Sequence, residues 1–142
     1  MDITINDLQA YLADRYCGWA NEQGMFMKLV EEIGEVAEVL NKKAGRKATD
    51  ETDLQEQLGI ELADMIHYIV AIAALNGIDL NKTILEKDKV ASIKYNHKIN
   101  LETFIAEKKK GKPFDLPFWS YWPDLNRRPA DYESAALPTE PQ

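Results

Sequence analysis

Proline is missing from the first 112 residues. All six stand later, at Pro113, Pro117, Pro123, Pro129, Pro138 and Pro141. Proline breaks helix interiors, so the front of the chain can be almost wholly helical and the stretch 113–142 cannot. Cysteine is nearly absent as well. The one thiol, Cys17, excludes an internal disulfide and suits a reducing cytoplasm. Its neighbours Tyr16 and Trp19 mark it for packing rather than nucleophilic chemistry. The two histidines, His67 and His97, have no second histidine at metal-ligand spacing and read as structural. No glycine-rich phosphate loop exists, since Gly111 stands alone among lysines, and no serine sits in a nucleophile elbow. Positive charge is in deficit: 17 basic against 24 acidic side chains leave a net charge of −7. That excludes broad binding to nucleic-acid backbones, which needs a basic surface. The start, Met1-Asp2-Ile3-Thr4, lacks the basic and apolar runs of a secretory leader. No stretch reads as long and apolar enough to span a bilayer, so no membrane partner is expected.

What is present is helical periodicity. A first helix follows Thr4 or Asn6 as N-cap, with Leu8, Tyr11 and Leu12 on one side. A second runs from about Met25 to Lys43 and is closed by Gly45. Its apolar set is Phe26, Leu29, Ile33, Val36, Ala37 and Leu40. A third starts near Thr52 or Asp53 and ends at Asn76-Gly77, carrying Leu58, Leu62, Met65, Ile66, Ile69, Val70 and Ala73. A fourth opens after Asp79 or Asn81 and reaches about Tyr95, and residues 98–110 add a short fifth. The expected fold is all-α, an antiparallel bundle of four to five helices completed by oligomerisation. The expected organisation is a helical domain over 1–110 and a proline-rich, disordered tail over 111–142.

Two acidic clusters carry the chemistry. Residues three apart share a helix face, so Glu32 with Glu35, and Glu61 with Asp64, each present two carboxylates side by side. Lys28 shares the first stripe and Tyr68 the second. Each acidic stripe borders an apolar flank, so antiparallel packing of the two flanks brings the stripes to one seam. Four unpaired carboxylates facing each other repel, and a hard divalent cation such as Mg²⁺ resolves the conflict. Acidic runs on helices are also ordinary solvated surface. Two such clusters, each beside a core face, favour the metal cage. Gly34, between the glutamates, costs about 1 kcal/mol in a helix relative to alanine, and implies close helix approach or ligand access.

The arrangement resembles the MazG-like all-α nucleoside triphosphate pyrophosphohydrolases. Their signature, Glu-x-x-Glu followed by Glu-x-x-Asp on the next helix, is matched by Glu32-x-x-Glu35 and Glu61-x-x-Asp64, with 25 residues between. The likeness extends through residues 26–38 and 61–68 and spans roughly 4–97. It implies cleavage between the α and β phosphates of a nucleoside triphosphate, giving nucleoside monophosphate and pyrophosphate. By the same likeness Glu32, Glu35, Glu61 and Asp64 hold Mg²⁺ and are the catalytic residues. Glu31 is read as support behind the ligands or a partner of Lys28. Lys28 either neutralises a phosphate or pairs with Glu32. Tyr68 matches an aromatic position that contacts nucleotide in some relatives, or packs in the core. Relatives place a basic residue and an asparagine on the fourth helix. Here Lys87 and Lys94 are the basic candidates, Ala91 and Ser92 occupy the asparagine region, and Asn96 lies a turn later. The resemblance implies a homodimer or homotetramer, and the single cysteine makes the cytoplasm the expected location. Two other functions stay open: phosphoribosyl-ATP pyrophosphohydrolase, and a non-catalytic helical interaction module.

The tail has a separate reading. Back-translated segments 124–127, 131–134 and 137–140 have reverse complements like the T arm, anticodon arm and D arm of a transfer RNA, in the right antisense order. On this reading the frame ran into an antisense tRNA gene and the tail contributes no chemistry. The coding DNA tests it: a transfer-RNA gene is expected on the opposite strand.

Overall fold

The structure, a computed structural model, describes residues 1–50 and 53–111. Five helices and no strand occur among them: α1 (Ile5–Tyr16), α2 (Glu22–Lys43), α3 (Leu54–Leu75), α4 (Leu80–Lys94) and α5 (Leu101–Lys109). The all-α class expected from periodicity is the class observed.

Side-chain caps start the helices. Thr4 and Asp7 form a reciprocal capping box, at 3.1 Å from the Asp7 N–H to the Thr4 hydroxyl and 3.0 Å from the Thr4 N–H to the Asp7 carboxylate. Asn21 caps α2 by accepting the Gly24 N–H at 2.7 Å, which starts that helix three residues earlier than Met25. Asp53 and Asp79 cap α3 and α4 in the same way. The C-terminal ends close through left-handed residues, Gly45 (φ +71°), Gly77 (φ +63°) and Asn96 (φ +53°). After each, the chain donates back to the last turn: Arg46 N–H to the Asn41 carbonyl, Ile78 to Ala73, and His97 to Ser92, each at 2.9 Å. Asn96 is thereby explained as a helix stop.

Two helix pairs position the site. α2 and α3 form an antiparallel hairpin. Lys43 Nζ donates to Gln55 Oε1 at one end (2.5 Å), and Met25 meets Val70 and Ala71 at the other. α1 also packs against α3, and α4 packs against α1. The core is Leu12, Tyr16, Met25, Val70 and Ala71. Gln9 ties α1 to the α3–α4 turn, donating to the Ile78 carbonyl at 2.5 Å and accepting the Leu80 N–H at 3.4 Å.

The inward faces differ from those expected. On α2, Met25 and Val39 are buried and Leu29 and Val36 half-buried, whereas Phe26, Ile33, Ala37 and Leu40 are exposed. On α3, Val70, Ala71 and Ala73 are buried, but Leu62, Ile66 and Ile69 are exposed. Tyr11 on α1 is exposed as well, and Tyr16 takes the core position. α2 and α3 each carry apolar residues on two sides, and among the described residues of one protomer only one of these sides is covered. Cys17 is exposed rather than packed. Gly34 has nothing within 4 Å of where a Cβ would stand, so no helix of the protomer approaches it closely.

A second correction concerns α3. It has 22 residues and is, by length and composition, long and apolar enough to cross a membrane, contrary to the sequence expectation. The physical reason is that α3 serves α1 and α2 with one arc and leaves a further apolar arc outside. The compact first unit is Met1–Leu101, and the second is Glu102–Gln142. The expected disorder and the read-through origin of the tail concern residues that, beyond 111, lie outside those described.

Candidate metal and nucleotide site

The hairpin register sets opposed carboxylates against one another. Glu32 and Glu61 are half-buried in the seam between α2 and α3, and Glu35 and Asp64 are exposed beside it. Glu32, Glu61 and Asp64 each offer an oxygen, and these oxygens all lie within 4.8 Å of one another. Glu35 stands beside Glu61 across the seam, and both line one cavity wall. Negative charge is thus crowded at the cluster.

Its titration has the same direction. The Glu61 carboxyl is raised above the ordinary carboxylate value, first by desolvation, then by the neighbouring Glu35 carboxyl, then by the charges of Glu32 and Asp64. Glu32 is raised too, by desolvation first and then by Glu35 and Asp64, with Lys28 opposing. The donor set is all oxygen, as a hard cation prefers. Mg²⁺ binds oxygens at about 2.0–2.1 Å, so opposite ligands stand roughly 4 Å apart, and a spread of 4.8 Å needs only a small closure of side chains. The residues fit the ion.

Around this cluster the other expected residues are placed as follows. Lys28 pairs with Glu31 at 2.6 Å, not with Glu32. Both side chains are largely exposed, which limits what that pair adds to stability. The pairing raises the Lys28 ammonium above its usual value, with smaller contributions from Tyr68 and Glu32. Lys28 therefore stands near the cluster with a local partner. Tyr68 packs against the core. Its phenol is raised by desolvation and then by Glu32, so the same side chain is both core and neighbour of the acids. His67 is structural: its Nε2 meets the Tyr16 hydroxyl at 2.7 Å, and its ring meets Tyr68 edge-on at 5.1 Å. Lys87 and Lys94 are not brought to the carboxylates. They lie on α4, which packs on α1, and the Lys94 ammonium lies 5.2 Å from the centre of the Tyr95 ring.

One group was missed. A cavity of about 360 Å³ opens directly beside the cluster, lined by Glu35, Glu38, Val39, Lys42, Gln57 and Glu61. Lys42 is not among the residues that the sequence analysis singles out. The available signal was its spacing: it follows Glu35 by seven residues, two helical turns, and so continues the same stripe.

The fold and site define an all-helical protein with a cluster of carboxylates, a candidate cation site, in a helix hairpin. The model of the MazG nucleotide pyrophosphohydrolase domain matches residues 20–95, more than half of the chain, and the chain belongs to the MazG family. YpjD of Bacillus subtilis (strain 168), an uncharacterized protein, is 32% identical over 85 residues, covering 56% of this chain and 74% of that one. The crystal structure of iMazG from Vibrio DAT 722 is similar with a TM-score of 0.50 and 28% identity, covering 67% of this chain and all of the other.

Proposed function

We propose that the protein hydrolyses nucleoside or deoxynucleoside triphosphates to nucleoside monophosphate and pyrophosphate, using Mg²⁺ held by Glu32, Glu35, Glu61 and Asp64. The convergence of carboxylate oxygens across the α2–α3 seam supports this reading most directly. Bound there, Mg²⁺ supplies charge stabilisation to the phosphate oxygens and orientation to the attacking water. Water forms the new bond to the α phosphorus. The bond from that phosphorus to the bridging oxygen breaks, and pyrophosphate leaves with the electron pair. A carboxylate of the set accepts the proton that water loses. Glu35 suits that role as the outermost of the four carboxylates, exposed and at the edge of the tight oxygen triplet of Glu32, Glu61 and Asp64. Lys28 and Tyr68 flank the Glu32 side and would meet the nucleotide there. A phosphate role for Lys87 or Lys94 requires another copy of the chain to bring α4 to the seam.

That copy is part of the proposal. The outward stripe of α2 and α3 leaves Ile33 47%, Leu40 48% and Ile66 49% exposed. Full burial of such a side chain gives about 1.5–3 kcal/mol, of which roughly half is unrealised in one protomer. We assign the stripe to a homodimer or homotetramer interface. A bilayer fits it less well, because Glu61 and Asp64 sit in the middle of α3 and carboxylates in hydrocarbon are costly. The net charge of −7 disfavours nucleic acid as partner, and the single free Cys17 suits a cytoplasmic location.

The test is a screen of NTPs and dNTPs with Mg²⁺ that detects pyrophosphate. Glu35→Gln and Asp64→Asn are each expected to abolish product while circular dichroism shows unchanged helix content. Full activity in either variant removes the cage.

A further inference from the structure

The metal cage accounts for the reacting end of the substrate but not for the charge that departs. The leaving pyrophosphate gains the electron pair of the broken bond, so its negative charge grows in the transition state. A cation already in place there stabilises the transition state more than the bound substrate. We propose that Lys42, with Lys47 beside it, is the cationic contact for the departing pyrophosphate. This rests on the hydrolase reading above and adds to it where the leaving group lies.

Three observations converge on Lys42. It lines the cavity that also has Glu35 and Glu61 in its wall, so a lysine borders the space beside the cage. Its side chain is only 13% exposed, whereas the Lys28 and Lys47 side chains are more than half exposed. A lysine so covered has its stem packed against the protein, and its ammonium group is held at the helix end by Glu38. Glu38 then gathers two ammonium groups at the same rim, Lys42 at 3.2 Å and Lys47 at 2.8 Å. Both hold the Glu38 carboxyl below its usual value, Lys47 more strongly.

The backbone supports the direction. Lys42 follows Glu35 by seven residues, about 10 Å along the axis, and helical side chains lean toward the N-terminus, here toward the acids. α4, the other source of lysines named from the sequence, packs on α1 instead. The polyphosphate would therefore run from the cage toward the C-terminal end of α2, with the nucleoside on the Tyr68 side.

The experiment is calorimetry on the full chain with Mg²⁺, titrating pyrophosphate and, separately, nucleoside monophosphate. Lys42→Gln should weaken pyrophosphate binding about tenfold or more, the effect of one lost charge-assisted hydrogen bond, and leave the monophosphate within about twofold. Lys42→Arg should retain most of the affinity, which a purely packing role would not allow. Unchanged pyrophosphate binding in Lys42→Gln overturns the assignment. Equal losses for both ligands overturn it as well, and so does a wild-type protein that binds no pyrophosphate. Wild-type turnover of triphosphates tests the hydrolase reading by itself, so the two failures are told apart.

Discussion

The α2–α3 hairpin has two faces, and the outward one is the more apolar. Inward, the seam holds Met25, Leu29, Val36 and Val39, but also Glu32 and Glu61. Outward, α2 shows Phe26, Val30, Ile33, Ala37 and Leu40, and α3 shows Leu62, Ile66 and Ile69. A helix is expected to bury its apolar stripe and to solvate its acids. Here the acids are partly covered and the apolar stripe is open. The inversion separates two tasks. The inward face spends stability to crowd carboxylates where an ion can gather them, and on the proposed assembly the outward face keeps its apolar surface for another copy.

The largest expected effect breaks the inward face. Glu61→Gln removes the carboxylate that touches every other acid of the cluster, and pyrophosphate release should fall by at least about 100-fold, more than loss of a supporting residue costs a metal site. The same change relieves charge crowding, so the metal-free protein should melt no lower than wild type. Next is the outward face. Ile33→Asp would place a charge in the proposed interface, costing roughly 2–3 kcal/mol and weakening self-association by at least about 30-fold. Sedimentation should then show monomers where wild type associates. A wild-type protein that is monomeric at the same concentration refutes the role given to this face.

Acid should act on the inward face alone. Glu32 and Glu61 are raised above 4.5 in the folded protein, so the fold binds their protons more readily than the unfolded chain does. As pH falls from neutrality toward 4.5, protonation relieves the repulsion and favours the metal-free fold, while it opposes Mg²⁺. At 100 times its dissociation constant, Mg²⁺ stabilises the fold by about 2.7 kcal/mol at neutral pH. That gain in melting temperature should shrink through the interval and vanish on chelation. Glu38 behaves oppositely: its lowered value keeps the ion pairs with Lys47 and Lys42 intact across the same interval, and they are lost only at lower pH. The smallest effect is at Gly34. With nothing within 4 Å of its Cβ position, Gly34→Ala should raise stability to denaturant by about 0.5–1 kcal/mol. A loss instead would mean that the second copy approaches the backbone there.

Periodicity and punctuation were enough for the five helices, because proline is absent from the first 112 residues and each of the first four begins at an Asn, Asp or Thr cap. The i, i+3 spacing was enough to name Glu32, Glu35, Glu61 and Asp64 as one constellation, since a helix turns by a fixed angle per residue. Spacing could not say which of two apolar stripes faces inward. Both satisfy the same period, and only contact with a neighbouring helix distinguishes them. So Met25 and Val39 were passed over for Phe26, Ile33 and Leu40. Nor could it choose between Glu31 and Glu32 as the partner of Lys28, because both are within one turn. Lys42 needed most of all a second helix: its stripe is written in α2, but the cavity that makes it matter exists only once α3 brings Gln57 and Glu61 to the other wall.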